Sequence, residues 1–195
     1  MQDSETLQMG NLANTVSQLN SSQGSSQWSM KDGTQVFIRP IHPDDEPLMV
    51  KFHSLLSNRT VYLRYFCSLS LATRTAHERL VRICFADPER ETVLVASEMD
   101  AGTGDERILA VGRLNKLPNT NEAEMAVLVS DKYQGCGLGT ELLRRLIQLA
   151  GERKVDQITA EMLRDNIVMQ SVLKKLGFRL RLFNDPRSVR AALRL

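Results

Sequence analysis

The stretch Gln134-Gly135-Cys136-Gly137-Leu138-Gly139-Thr140 constrains this chain more than any other. It follows an alternating apolar run, Glu122 to Val129, that reads as a strand. It leads into Leu138 to Glu152, where Leu138, Leu142, Leu146, Leu149 and Ala150 lie on one helical stripe. Glycines at 135, 137 and 139 let the backbone approach a ligand, because no Cβ stands in the way. The helix that follows offers unpaired N–H groups and the positive end of its dipole. Together these make an anion site suited to a pyrophosphate. A glycine-rich turn with no ligand would weaken the helix start by about 0.5–1 kcal/mol per glycine, which disfavours a purely structural role. A P-loop needs Gly-Lys-Ser/Thr, and here Gly139 precedes Thr140 with no lysine. A dinucleotide fold wants Gly-x-Gly-x-x-Gly, but Thr140 follows Gly135 and Gly137 at the third place. Asp156 stands near the spacing of a ribose-binding acid, so it is the remaining chain, too short for further βαβ units, that argues against that reading.

The rest of the chain supplies a sheet for this loop. Residues 1–28 are rich in Ser, Gln and Asn and read as a disordered polar tail, with order beginning near Gly33 and residues 29–195 forming one domain. Strands are expected at Val36–Arg39, Thr92–Glu98, Ile108–Leu114, Glu122–Val129, Gln157–Met162, Phe178–Phe183 and Val189–Leu193, the last two turning at Asn184-Asp185-Pro186. Helices are expected from His42-Pro43-Asp44-Asp45 through Leu56, over Arg59–Phe66, over Thr73–Cys84, over Leu138–Glu152, and over Ile167–Leu176, the last stopped by Gly177. This order predicts an α/β (α+β) fold with a mixed central sheet of about six to seven strands and helices on both faces.

A net charge of +2, with no basic run, gives no reason to expect nucleic acid or a membrane as partner. Cys67, Cys84 and Cys136 are odd in number and widely spaced, and His42, His53 and His77 show no metal-ligand spacing, so neither a disulfide framework nor a metal site is expected. Cys136 reads as a permissive loop position rather than a reactive thiol. With no apolar run long enough to span a bilayer and no signal-peptide core, the expected location is cytoplasmic.

Gln134-x-x-Gly137-x-Gly139 after a strand, Asn166 downstream, and Lys175-Leu176-Gly177-Phe178 closing the next helix resemble the GNAT acetyltransferases. Arg39-Pro40-Ile41-His42-Pro43-Asp44-Asp45-Glu46, Tyr62-Leu63-Arg64-Tyr65-Phe66 and Ala123-Glu124-Met125-Ala126-Val127-Leu128-Val129 resemble the acetyltransferase domain of Pat-type bacterial protein lysine acetyltransferases. The resemblance spans about Asp32 to Phe183. It implies a GNAT fold that binds acetyl-CoA. The backbone of Gln134, Gly135, Cys136, Gly137, Leu138, Gly139 and Thr140 would hold the pyrophosphate, with the Thr140 hydroxyl as a further donor. The strand carrying Val127 and Val129 would splay from its neighbour and bond the pantetheine arm, and Asn166 would contact the cofactor from the other side of the cleft.

A lysine amine, with a pKa of about 10.4, must lose a proton before it attacks a thioester. Glu122 and Glu124 share one face of their strand and could accept it. The residues alone read more readily as solvated strand carboxylates; the resemblance selects Glu124 as the catalytic base and leaves Glu122 as surface. Many GNAT enzymes place a tyrosine seven residues after the asparagine to protonate the leaving thiolate, and here that position is Leu173. Tyr65 and Tyr133 are read as packing or rim residues. Pat-type proteins often carry a further regulatory domain, so ligand control is expected to be absent or to reside in a partner. The partners implied are acetyl-CoA and a protein lysine, such as one of an acyl-CoA synthetase, with a homodimer allowed. A small-molecule amine acceptor and a non-catalytic acyl-CoA sensor are the alternatives.

Overall fold

Strand β3, Glu91–Met99, is buried on both faces from Val93 to Glu98, and such a strand needs a covered sheet on each side. The computed structural model describes residues 25–100, 102–182 and 185–195 and provides that cover. Eight strands form one sheet: β1 Ser26–Ser29, β2 Gln35–Pro40, β3, β4 Glu106–Lys116, β5 Glu122–Val129, β6 Gln157–Leu163, β7 Arg179–Leu182 and β8 Ser188–Arg194, in the order β1-β2-β3-β4-β5-β6-β8-β7. Neighbours are antiparallel except β5 and β6, which run parallel through a helical crossover.

Helices α1 Glu46–Ser54, α2 Asn58–Tyr65, α3 Leu71–Arg74 and α4 His77–Cys84 precede β3; α5 Leu138–Glu152 and α6 Ile167–Lys175 flank β6 in sequence. On one face Leu138, Leu142, Leu143 and Leu146 of α5 meet Leu94, Ala96, Ala110 and Met125. On the other, Met49, Phe52, Val61, Leu80 and Ile83 meet Val93, Val95, Val111 and Leu128. A bulge at Leu109, where Ala96 pairs with Ala110 but Ser97 with Ile108, switches the phase of β4 between the two cores.

Three expectations change. The strand Ser26–Ser29 lies ahead of Gly33, where order was expected to begin, and gives the sheet its eighth strand. Trp28 supplies the apolar surface that the Ser/Gln-rich surroundings conceal, since it packs against the core. The rest of the expected tail, residues 1–24, lies outside the described residues, as does Asn184 of the last turn. The single helix expected over Thr73–Cys84 is two helices joined at Thr75-Ala76. There Thr75 turns its hydroxyl back to the Leu71 carbonyl at 2.9 Å, and the buried Arg74 reaches across to donate to the His53 carbonyl at 2.7 Å. The helix expected from Pro43 begins as a 3-10 turn, Pro43–Asp45, before α1. Its start is fixed by Asp45, which accepts from the His42 N–H at 2.7 Å and takes both guanidinium arms of Arg39 at 2.7 and 2.8 Å.

Candidate active site

The β5–β6 pair is the one parallel ladder among the described residues, and it is short. Glu122 pairs with Gln157, Ala123 with Ile158 and Glu124 with Thr159, and there the ladder ends. From Met125 onward β5 is paired only with β4, while Ala160–Leu163 of β6 are paired only with β8. The two strands therefore diverge in mid-sheet, and the cleft opens toward their carboxyl ends. Crevices at the carboxyl ends of parallel strands are where α/β sheets bind ligands. The expected splay beside Val127 and Val129 is present; both are half-buried and pack on the α5 side.

One lip of the cleft is the glycine loop. Gly135 and Gly137 adopt φ of 79° and 91°, the left-handed region that side chains resist. Gly137 is the N-cap of α5 and contributes no side-chain cap, so the first N–H groups of the helix remain available. Gly139 lies close to β5: a Cβ there would stand 3.2 Å from Val129 Cγ2, a tight contact with the end of one side chain. Thr140 is half-buried beside it, whereas Leu138 is buried in the core and can offer only its backbone. Gln134 turns inward, donating to Thr60 Oγ1 at 3.0 Å and to the Val129 carbonyl at 3.1 Å. Cys136 packs on the core, and its carbonyl accepts from the Lys31 N–H at 3.2 Å.

The other lip is Asn166, at the end of β6. Its Oδ1 accepts from the Met169 N–H at 3.2 Å and caps α6. The structure thus gives this side chain a capping role and sets it across the cleft from the glycine loop. Leu173, further along α6, is core, so this helix brings no acid to the cleft at that position.

Glu124 sits where the ladder ends. It is exposed, on the sheet face opposite α5, with Asn115 as its cross-strand neighbour and Thr159 as its parallel one. Helix α2 packs over both β5 and β6 on this face and brings Arg64 into the field of Glu124. Burial lowers the Arg64 pKa, and the neighbouring Tyr65 and Glu124 favour its charged form. Glu122 shares the face one turn of the pleat away. Neither Tyr65 nor Tyr133 is disposed as an acid. Tyr133 donates to Glu98 Oε1 at 2.6 Å, and burial, then that bond, pushes its pKa to about 12. Tyr65 lies against the guanidinium groups of Arg64 and Arg79, 5.2 and 4.9 Å from its ring centre.

Several contributors escape a reading of the sequence. Asp131 ties α2 to the segment after β5, accepting from the Ser57 N–H at 2.9 Å and from Thr60 Oγ1 at 2.8 Å. Burial pushes the Asp131 carboxyl up, but these donors outweigh it and hold the pKa below its ordinary value. Trp28 and Lys31 lie over the glycine loop, 3.4 and 3.6 Å from where a Gly137 Cβ would be. Both come from a segment more than 100 residues upstream with no motif of its own. Among the described residues no three His, Cys, Asp or Glu side chains gather as a metal site, and no helix is long and apolar enough to cross a membrane.

A parallel pair that opens in mid-sheet, between a glycine-rich helix start and a capped second helix, makes a cleft suited to a phosphate-bearing ligand. A family model described as an acetyltransferase (GNAT) domain matches residues 35–179, and the chain belongs to that family. The GNAT domain of Streptomyces lividans PAT superposes with a TM-score of 0.77 at 26% identity, covering 88% of this chain and 97% of that one. Acetyltransferase Pat of Mycolicibacterium smegmatis is 31% identical over 76% of this chain, which spans 42% of that protein's length. An acetyltransferase of Pseudomonas aeruginosa is 27% identical over 77% of this chain and 78% of its own.

Proposed function

We propose that the chain transfers the acetyl group of acetyl-CoA to a lysine amine on a protein, with Glu124 as proton acceptor. The observation that carries this reading is the end of the β5–β6 ladder at Glu124 and Thr159. It sets a carboxylate at the head of a cleft whose lips are Gly135–Thr140 and Asn166.

The residues fit the cofactor. Backbone N–H groups at the α5 start, Gly137 without a Cβ, and the charge of Lys31 suit a pyrophosphate. The β5 edge beyond Glu124, free of β6, suits an amide-bearing arm. Acetyl-CoA, when bound, supplies a thioester whose carbonyl carbon an amine can attack. Glu124 takes the proton of the lysine ammonium, directly or through water, and so holds the amine in its nucleophilic form. The Arg64 guanidinium lies in the field of that carboxylate. With Leu173 in the core and Tyr133 held by Glu98, no side chain of the cleft is assigned the proton for the leaving sulfur.

The protein acceptor is favoured by the resemblance to Pat-type domains from Arg39 to Val129 and by the open face beside Glu124. A cytosolic setting follows from that chemistry, which draws on acetyl-CoA. Incubation with acetyl-CoA and a panel of folded proteins and small amines at equal concentration tests the reading, with acetylated lysines mapped by mass spectrometry. A much higher kcat/KM for any small amine would replace the protein acceptor and leave the acetyltransferase in place.

A further inference from the structure

The sheet face beside Glu124 continues into a groove of about 880 Å³ across β6, β8 and β7. Its lining has an ordered charge. Glu122, Gln157 and Thr159 form the side next to β5, and Arg179, Arg181, Arg190 and Arg194 form the far side. Strand register sets these groups in rows. Glu124 pairs with Thr159, Thr159 with Ala192, and Ala192 with Arg179, so one row runs from the carboxylate to a guanidinium. The next row runs Glu161, Arg190, Arg181, and the one before it Glu122, Gln157, Arg194. Arg179, Arg181 and Arg194 are exposed, and Glu161, opposite Arg190, is the acid on the far side of the ladder end.

We propose that this groove selects an acceptor segment whose lysine is flanked by acidic residues. The inference rests on the lysine-acceptor reading above and names the substrate class for the same site. A lysine seated at Glu124 places its neighbours along the row toward Arg179. Three strand spacings of about 4.8 Å give about 14 Å, and an extended peptide covers that in about four residues. A carboxylate about four positions from the lysine therefore meets Arg179 or Arg181. A uniformly anionic polymer does not match the groove, because Glu122 and Glu124 repel it at the reacting end. A polybasic segment does not match either, because the far wall repels it.

The test compares three single-lysine peptides that differ only in Glu, Ala or Arg at the third and fourth positions on either side of the lysine. The kcat/KM for acetylation of the Glu peptide should exceed that of the Ala peptide by about tenfold, as expected for two partly screened charge pairs. The advantage should shrink as salt rises, since exposed charges are screened over about 10 Å at 0.1 M. In R179E/R181E the preference should invert toward the Arg peptide; R194Q should weaken it without inversion, and melting curves establish that both variants fold. Equal kcat/KM for the three peptides, or an unchanged order in R179E/R181E, overturns the groove and leaves the lysine acceptor standing. If no peptide is acetylated while a small amine is, the lysine acceptor fails and the groove with it.

Discussion

Gly137→Ala separates the two demands that the loop makes on its backbone. Gly137 holds φ at 91°, and an added Cβ would sit 3.4 Å from Trp28 Cη2, an ordinary contact. The cost is therefore conformational, about 1–2 kcal/mol for an L residue in the left-handed region. Two ways of meeting that cost give different signals. If the loop keeps its shape, the strain stays in the folded state and Tm falls by about 2–8 °C for a chain of this size. If the loop relaxes, Tm moves little, but the N–H groups at the α5 start must be realigned when the cofactor binds. Affinity for CoA then drops by about 5–30-fold, the same free energy converted. Differential scanning calorimetry and titration calorimetry on one sample read both. Gly135→Ala is the control, since it shares the positive φ of 79° with open space around it and should behave alike. Gly139→Ala should differ, since its φ is ordinary and its Cβ meets only the Val129 methyl at 3.2 Å. If Gly137→Ala leaves both Tm and CoA affinity unchanged, the loop is not held in this conformation and the cradle argument fails.

Glu124→Gln should leave CoA affinity in place and cut kcat by about 10²–10⁴-fold, whereas Glu122→Gln should be mild; steady-state kinetics of both variants would reveal an exchanged assignment. Trp28→Ala should cost about 1–2 kcal/mol and lower Tm by about 2–8 °C, because it removes the apolar anchor of β1; an unchanged melting curve would mean that β1 adds nothing to the domain. His53 is buried, and burial, then the charges of Arg74 and Arg79, lower its pKa from 6.5 to about 4. As pH falls the unfolded chain binds this proton first, so stability is full above 6.5 and falls by up to about 3 kcal/mol by pH 4. Urea titrations across that window should show the slope in the parent and a flatter profile in His53→Gln.

Local patterns determined much of this protein from the sequence. The strand Glu122–Val129 and the helix Leu138–Glu152 have the bounds that alternation and the leucine stripe indicate, because both signals are complete within the segment. The glycine loop is legible for the same reason: its backbone demands are met by the residues that bear them. The tertiary structure decided what depends on a distant partner. Whether Ser26–Ser29 is a strand depends on β2 and on the core that receives Trp28, neither of which lies in that segment. Whether Thr73–Cys84 is one helix or two depends on the His53 carbonyl that draws Arg74 inward. The β5–β6 ladder ends after Glu124 with no mark in either strand's own residues. The arginine wall likewise exists only because register brings β7 and β8 into line with Glu124. Propensity and periodicity act over a few residues, whereas register is set by cores assembled from the whole chain, so the sequence yields the elements and the cradle while the fold yields the cleft and its charge.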